Sequence, residues 1–146
     1  MTAPTSGTEY RHLPGPVGKL LEGTYSTTVS VPLSSTASLV YTTGHLGLDL
    51  NTGSLVRSSL EAEFNAIFDC LDAALKNHGV VGGCASAFRF ISYLTSPDHE
   101  PTMQSVFKNR WPDHQPTWIS VIVKEVAGGP GMNAEIAAEA AMYSSV

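Results

Sequence analysis

Cysteine is scarce in this chain, and what there is does not pair. Cys70 falls in a helical stretch and Cys84 beside a glycine pair. Neither has metal-ligand spacing, so a disulfide framework and a zinc site are both argued against, and two free buried thiols are expected. The histidines at 12, 45, 78, 99 and 114 show no ligand spacing either, so no metal and no cofactor is expected. Positive charge is also short: 8 Lys and Arg face 13 Asp and Glu, a formal net charge of −5, and the basic residues stand singly. Without a basic stripe to neutralise phosphates, nucleic-acid binding is argued against, and a small neutral or cationic ligand is easier to accommodate. No apolar run approaches the roughly 20 residues of a membrane helix, so no membrane partner is expected. The segment from Met1 to Gly18 lacks the charged head and apolar centre of a signal peptide, which points to a cytoplasmic address. There is no repeat at solenoid spacing and no Gly-x-Ser-x-Gly around Ser120 to make it a nucleophile.

What remains is a chain of 146 residues, 42% hydrophobic, suited to one domain with one core. Residues 1–22, with four prolines and glycines between Pro14 and Gly18 alone, read as an extended arm, and 23–146 as the domain. Strands are expected over Thr24–Val31, Ser38–Thr43 and Ala85–Thr95, with a short return over Ser54–Val56. Along Ala85–Thr95, Phe88, Phe90, Ser92 and Leu94 alternate with Ala87, Arg89, Ile91 and Tyr93. A long helix starts at Ser58, where Ser58 and Glu61 form a capping-box pattern, and stops at His78-Gly79. Leu60, Phe64, Ile67, Phe68, Leu71, Ala74 and Leu75 form its apolar face, with Glu61, Glu63, Asn65, Asp69, Asp72 and Lys76 opposite. A shorter helix spans Pro101–Trp111 and turns Met103, Val106, Phe107 and Arg110 to one side.

From Pro116 to Tyr143, two β-type runs flank Gly128-Gly129-Pro130-Gly131 and read as a hairpin at the centre of the sheet. In the second run Glu135 stands among alanines. An ionised carboxylate near a sheet interior needs a partner or a purpose, so Glu135 is the first candidate for chemistry. One sheet with both helices on one face gives an α+β layer architecture. Its other face, with residues such as Val121 or Ile122, is left uncovered, and an uncovered apolar face predicts self-association.

These residues resemble the Rid family of reactive intermediate imine/enamine deaminases, also called YjgF-type or L-PSP endoribonuclease-like proteins. The likeness runs from Gly23 to Met142. It rests on Tyr25 after Gly-Thr, on Val40-Tyr41-Thr42-Thr43-Gly44-His45-Leu46-Gly47-Leu48-Asp49 leading to Thr52-Gly53, on the long helix, on Phe90-Ile91-Ser92-Tyr93-Leu94, and on Pro116 before a β run that leads to Ala134-Glu135-Ile136. The resemblance implies a chorismate-mutase-like α+β fold, a homotrimeric barrel and three clefts at subunit interfaces. It also implies site positions. Trp118 stands where the deaminating branch has its carboxylate-gripping arginine, Ser120 at a family cysteine, Gln104 at an asparagine of the second helix, and Glu135 at the first acid of a Glu-x-Glu signature whose second is Ala137. Tyr25 and Thr43 match a tyrosine and a small hydroxyl residue.

With Trp118 in place of arginine, recognition of a 2-imino acid by its carboxylate is not expected. A tryptophan offers an apolar wall and a π face, unless it simply packs in the core. The catalytic set read from the sequence is Glu135, with His45 as second acid/base candidate and the Tyr25 hydroxyl. Trp118, Ser120, Thr43, Gly44 and Gln104 are the substrate-binding set. His45 also reads as a solvent-exposed loop histidine and Tyr25 as strand filler. The expected activity is hydrolysis or tautomerisation of an imine, enamine or enol-like intermediate by acid/base chemistry, in a specialised pathway. The alternative is a binding module of the same fold that holds a metabolite or a partner without catalysis. Ribonuclease activity is argued against by the charge.

Overall fold

The computed structural model describes residues 7–144. A six-stranded sheet carries two main helices on one face, an α+β architecture. The strands are β1 (Glu9–Arg11), β2 (Thr28–Pro32), β3 (Ala37–Thr42), β4 (Ala87–Leu94), β5 (Thr117–Ile122) and β6 (Ala134–Tyr143). The helices are α1 (Pro16–Leu21), α2 (Leu60–Asn77) and α3 (Glu100–Arg110). Across the sheet the order is β1-β2-β3-β6-β4-β5. Every pairing is antiparallel except that of β4 with β5.

That exception corrects the expected hairpin. The α3 helix returns the chain to the start of β4, so β5 runs parallel to β4, as a βαβ connection requires. β6 then inserts between β3 and β4 and never meets β5. Gly128–Gly131 does turn, with Met132 N–H bonded to Gly129 O, but it belongs to a longer connection whose Val126 and Met132 are buried. In the segment expected to be an extended arm, β1 pairs with β2 and α1 buries Val17; residues 1–6 lie outside the described residues. The return expected at Ser54–Val56 is a single bridge, Leu48 to Leu55.

The α2 helix follows from its sequence with two differences. Ser59, not Ser58, is the N-cap: its backbone is extended, and its hydroxyl accepts the Ala62 N–H at 3.0 Å. Gly79 ends the helix at φ 97°, a conformation that a Cβ disfavours. The second difference is Glu63, which is 2% exposed and turned inward, not outward.

The core lies between the helices and the sheet. Phe68 of α2 meets the rings of Phe90, Phe107, Trp111 and Trp118 at centroid distances of 6.3, 5.5, 5.8 and 6.2 Å. On β4 the phase shifts at one place: Ala87 pairs with Ala140 and Arg89 with Glu139, leaving Phe88 as an extra residue that is 41% exposed. This bulge aims Ala87, Phe90, Ser92 and Leu94 at the helices. Register puts Tyr93, Ile119 and Val121 on the uncovered face, whereas Ile122 pairs with Leu94 on the helix side. No helix among the described residues is long and apolar enough to cross a membrane.

Phe68 is completely buried among four rings, so Phe68→Ala removes a hub that its neighbours cannot refill. A loss of about 3–5 kcal/mol is expected. Chemical denaturation should show it as a lower midpoint at unchanged slope.

Candidate active site

The site forms where the ladder between β3 and β6 breaks step. Tyr41 pairs with Glu139, and the next pairing along is His45 with Ile136. Thr42, Thr43 and Gly44 therefore oppose only Ala137 and Ala138, which makes a one-residue bulge. Thr42 repairs the ladder with its side chain, its hydroxyl accepting the Ala138 N–H at 2.9 Å. Thr43 turns outward and gives its N–H to Thr27 O at 2.8 Å. The His45 N–H and C=O both bond Ile136, at 2.9 and 3.1 Å, and close the gap.

Glu135 occupies the gap. Its side chain lies flat on Gly44, where a Cβ would fall 2.9 Å from its carboxyl carbon. Gly44 is thus needed for close approach, not for an unusual backbone angle. The Glu135 carboxyl takes part in no hydrogen bond or ion pair among the described residues, and burial pushes its pKa up from the ordinary glutamate value. Glu135, Gly44, Thr43, His45 and Tyr25 line one cavity of about 750 Å³. Leu20, Leu21, Leu46, Leu48 and Leu55 supply apolar wall, and no lysine or arginine lines it.

His45 is 1% exposed, so it is not a solvent loop histidine. Neither ring nitrogen has a partner among the described residues, and burial lowers its pKa to about 4. The ring is neutral at pH 7. Tyr25 is 59% exposed, with its N–H bonded to Leu21 O at 2.7 Å, and stands at the cavity's outer edge.

Trp118, Ser120 and Gln104 are not brought to this cavity. Trp118 faces the helices, stacked on Phe90 at 4.6 Å, and its indole N–H donates to Ser92 Oγ at 2.9 Å. Ser120 Oγ lies 2.9 Å from Ser92 Oγ and 3.1 Å from Glu100 Oε1. Gln104 is exposed on α3. Conversely, sequence reasoning did not place Glu63 near the site, nor the leucines from α1 and the 46–55 loop. Among the described residues, no three His, Cys, Asp or Glu side chains gather as a metal site requires.

The fold, one mixed sheet with its helices on one face, is that of the YjgF type. Residues 20–142 match the family described as Endoribonuclease L-PSP, and the chain belongs to that family. Among solved structures, yeast YEO7 superposes with a TM-score of 0.76 at 17% identity, over 93% of this chain and 99% of that one. Rv2704 from Mycobacterium tuberculosis, a member of the YjgF/YER057c/UK114 family, gives 0.71 at 18% identity over 94% and 100%. RidA from the Antarctic bacterium Psychrobacter sp. gives 0.67 at 24% identity over 81% and 88%. At these identities the likeness shows the fold. No curated protein is similar enough in sequence to match.

The buried imidazole makes stability pH-dependent. Below the ordinary value of 6.5 the unfolded chain takes up a proton at His45 that the folded chain refuses until about pH 4. Stability from this residue is present above 6.5 and is lost as pH falls through that window, by about 3 kcal/mol. Urea unfolding of His45→Leu at pH 7 and pH 4 should show a smaller acid loss than the wild type. In Gly44→Ala the new methyl displaces the Glu135 carboxyl, and its pKa, followed by carbon-13 NMR, should fall toward the ordinary value.

Proposed function

We propose that the chain is a small-molecule enzyme that hydrolyses or tautomerises an imine, enamine or enol-like intermediate, with Glu135 as the proton carrier. The observation that carries this reading is a desolvated carboxyl on the cavity wall, raised in pKa and without a protein partner. Burial favours the protonated form of such a group, which brings giving and taking a proton closer in energy than they are for an exposed glutamate. In imine hydrolysis it protonates the nitrogen, water adds to the carbon, and the water's proton returns to the carboxylate. The carbinolamine then expels ammonia and leaves a carbonyl. The Gly44 N–H, which has no acceptor among the described residues, and the Tyr25 hydroxyl are free to hold polar atoms of the substrate.

The leucine wall and the lack of a lysine or arginine on it favour an uncharged or protonated substrate with an apolar body over a 2-imino acid. The uncovered face with Tyr93, Ile119 and Val121 supports assembly of this chain with its own copies, as a homotrimer whose subunit interfaces complete the clefts. Residues 23–146 act as the one domain, the preceding strand and helix folded onto it, and the working compartment is the cytoplasm. A second reading, a non-catalytic binding module, draws support from the isolation of Glu135: no hydrogen-bonded relay leads from it to another titratable group.

Ammonia release separates the two. Imines are generated in situ, by an amine oxidase for uncharged ones and by an amino-acid oxidase for 2-imino acids. The wild type should accelerate breakdown of apolar uncharged imines more than of 2-imino acids, and Glu135→Gln should lose about 10²–10⁴-fold. Undiminished turnover in Glu135→Gln refutes the assignment. Saturable binding without acceleration would establish the binding module.

A further inference from the structure

Among the described residues Glu63 is the one buried carboxylate, and nothing in a passive helix face calls for it there. It sits in the first turn of α2, is 2% exposed, and forms no ion pair among the described residues. It is fully occupied nonetheless. Its Oε2 accepts the N–H of Asn133 at 2.8 Å and of Ala134 at 3.1 Å, and its Oε1 accepts the Asn133 side-chain amide at 2.8 Å. Two of these donors are main-chain N–H groups whose direction the strand fixes, and a carboxylate gives them charge-assisted bonds.

We propose that Glu63 is the positioning residue of the site, fixing the backbone from which Glu135 projects. The geometry converges from three sides. Residues 133 and 134 are held by Glu63, and residue 136 is held through both its N–H and its C=O by His45. Glu135 lies between these anchors, so its backbone is clamped before and after. The loop that carries Gly44 packs against the same residue: a Cβ on Gly47 would fall 2.8 Å from the Glu63 main-chain O and 2.9 Å from Glu63 Cγ. Gly47 thus lets the loop rest on Glu63 while Gly44, three residues earlier, receives the Glu135 side chain. One helix residue therefore meets both halves of the contact, holding the strand that offers the carboxyl through its carboxylate and lying under the loop that receives it.

This inference rests on the reading of Glu135 as proton carrier only for its catalytic consequence; the clamp has a readout of its own. The test is the carbon-13 titration of the Glu135 side chain in the full chain, for the wild type, Glu63→Gln and Asn133→Ala, with imine turnover measured on the same samples. Glu63→Gln replaces the charge-assisted bonds to the Asn133 and Ala134 N–H groups with weaker neutral ones and should bring the Glu135 pKa back toward the ordinary value. It should lower kcat by roughly 10²-fold with little change in KM, and leave amide shifts in β1 and β2 unmoved. Asn133→Ala loses only the side-chain bond and should give a smaller change in the same direction. Should Glu63→Gln fail to fold, Asn133→Ala carries the test by itself. An unchanged Glu135 titration in the folded variants overturns the proposal. If the titration moves but Glu135→Gln keeps full turnover, the clamp stands and the acid/base reading falls.

Discussion

The contact between the Glu135 carboxyl and the bare Cα of Gly44 is the constraint on which the site depends. It exists because three residues of one strand oppose two of its neighbour, so a regular ladder opens by one step and closes again at His45. Without the extra residue, Glu135 would stand on an ordinary sheet face. With it, the carboxyl has a wall on one side and a cavity on the other. Thr42 keeps the break from costing a buried N–H, since its hydroxyl takes the bond that a main-chain carbonyl would have accepted.

Two glutamates of the same chemistry receive opposite treatment within this small region. Glu63 is sealed from water and given three donors, whereas Glu135 is partly desolvated and given none. Lost hydration favours the neutral form of the second. Environment, not residue type, separates the two: one carboxylate is fully bonded, the other faces the cavity without a protein partner.

The α+β class, the long helix and its buried face, and the approximate positions of β3, β4, β5 and β6 were legible in the sequence, because periodicity and helix stops are local signals, whereas β1 fell in the segment read as an arm. Strand order was not. Gly128–Gly131 looked like a hairpin turn, yet the choice of neighbour for β6 was decided by α3 returning the chain alongside β4, a tertiary matter. Glu63 was misplaced for a related reason: helical periodicity sorts charged residues outward, and only its partners near position 133, some 70 residues away, draw this one in. Around the cavity, Tyr25, Thr43, Gly44, His45 and Glu135 were singled out by motif and do meet there. Trp118 and Ser120 lie on the other side of the sheet, because alternation along β5 together with the β4 register turns them toward the helices.

The central strand of the sheet, β6, is also the one that follows all the others in sequence. During synthesis, β1, β2 and β3 can pair as one half-sheet and β4 and β5 as another, but nothing joins the halves until residues 134–143 arrive. Their joining closes contacts of high sequence separation, which makes it a slow step. Because β6 carries Glu135, the same event that completes the sheet also installs the acid. An incompletely folded chain therefore lacks the cavity wall that Glu135 and Gly44 form together.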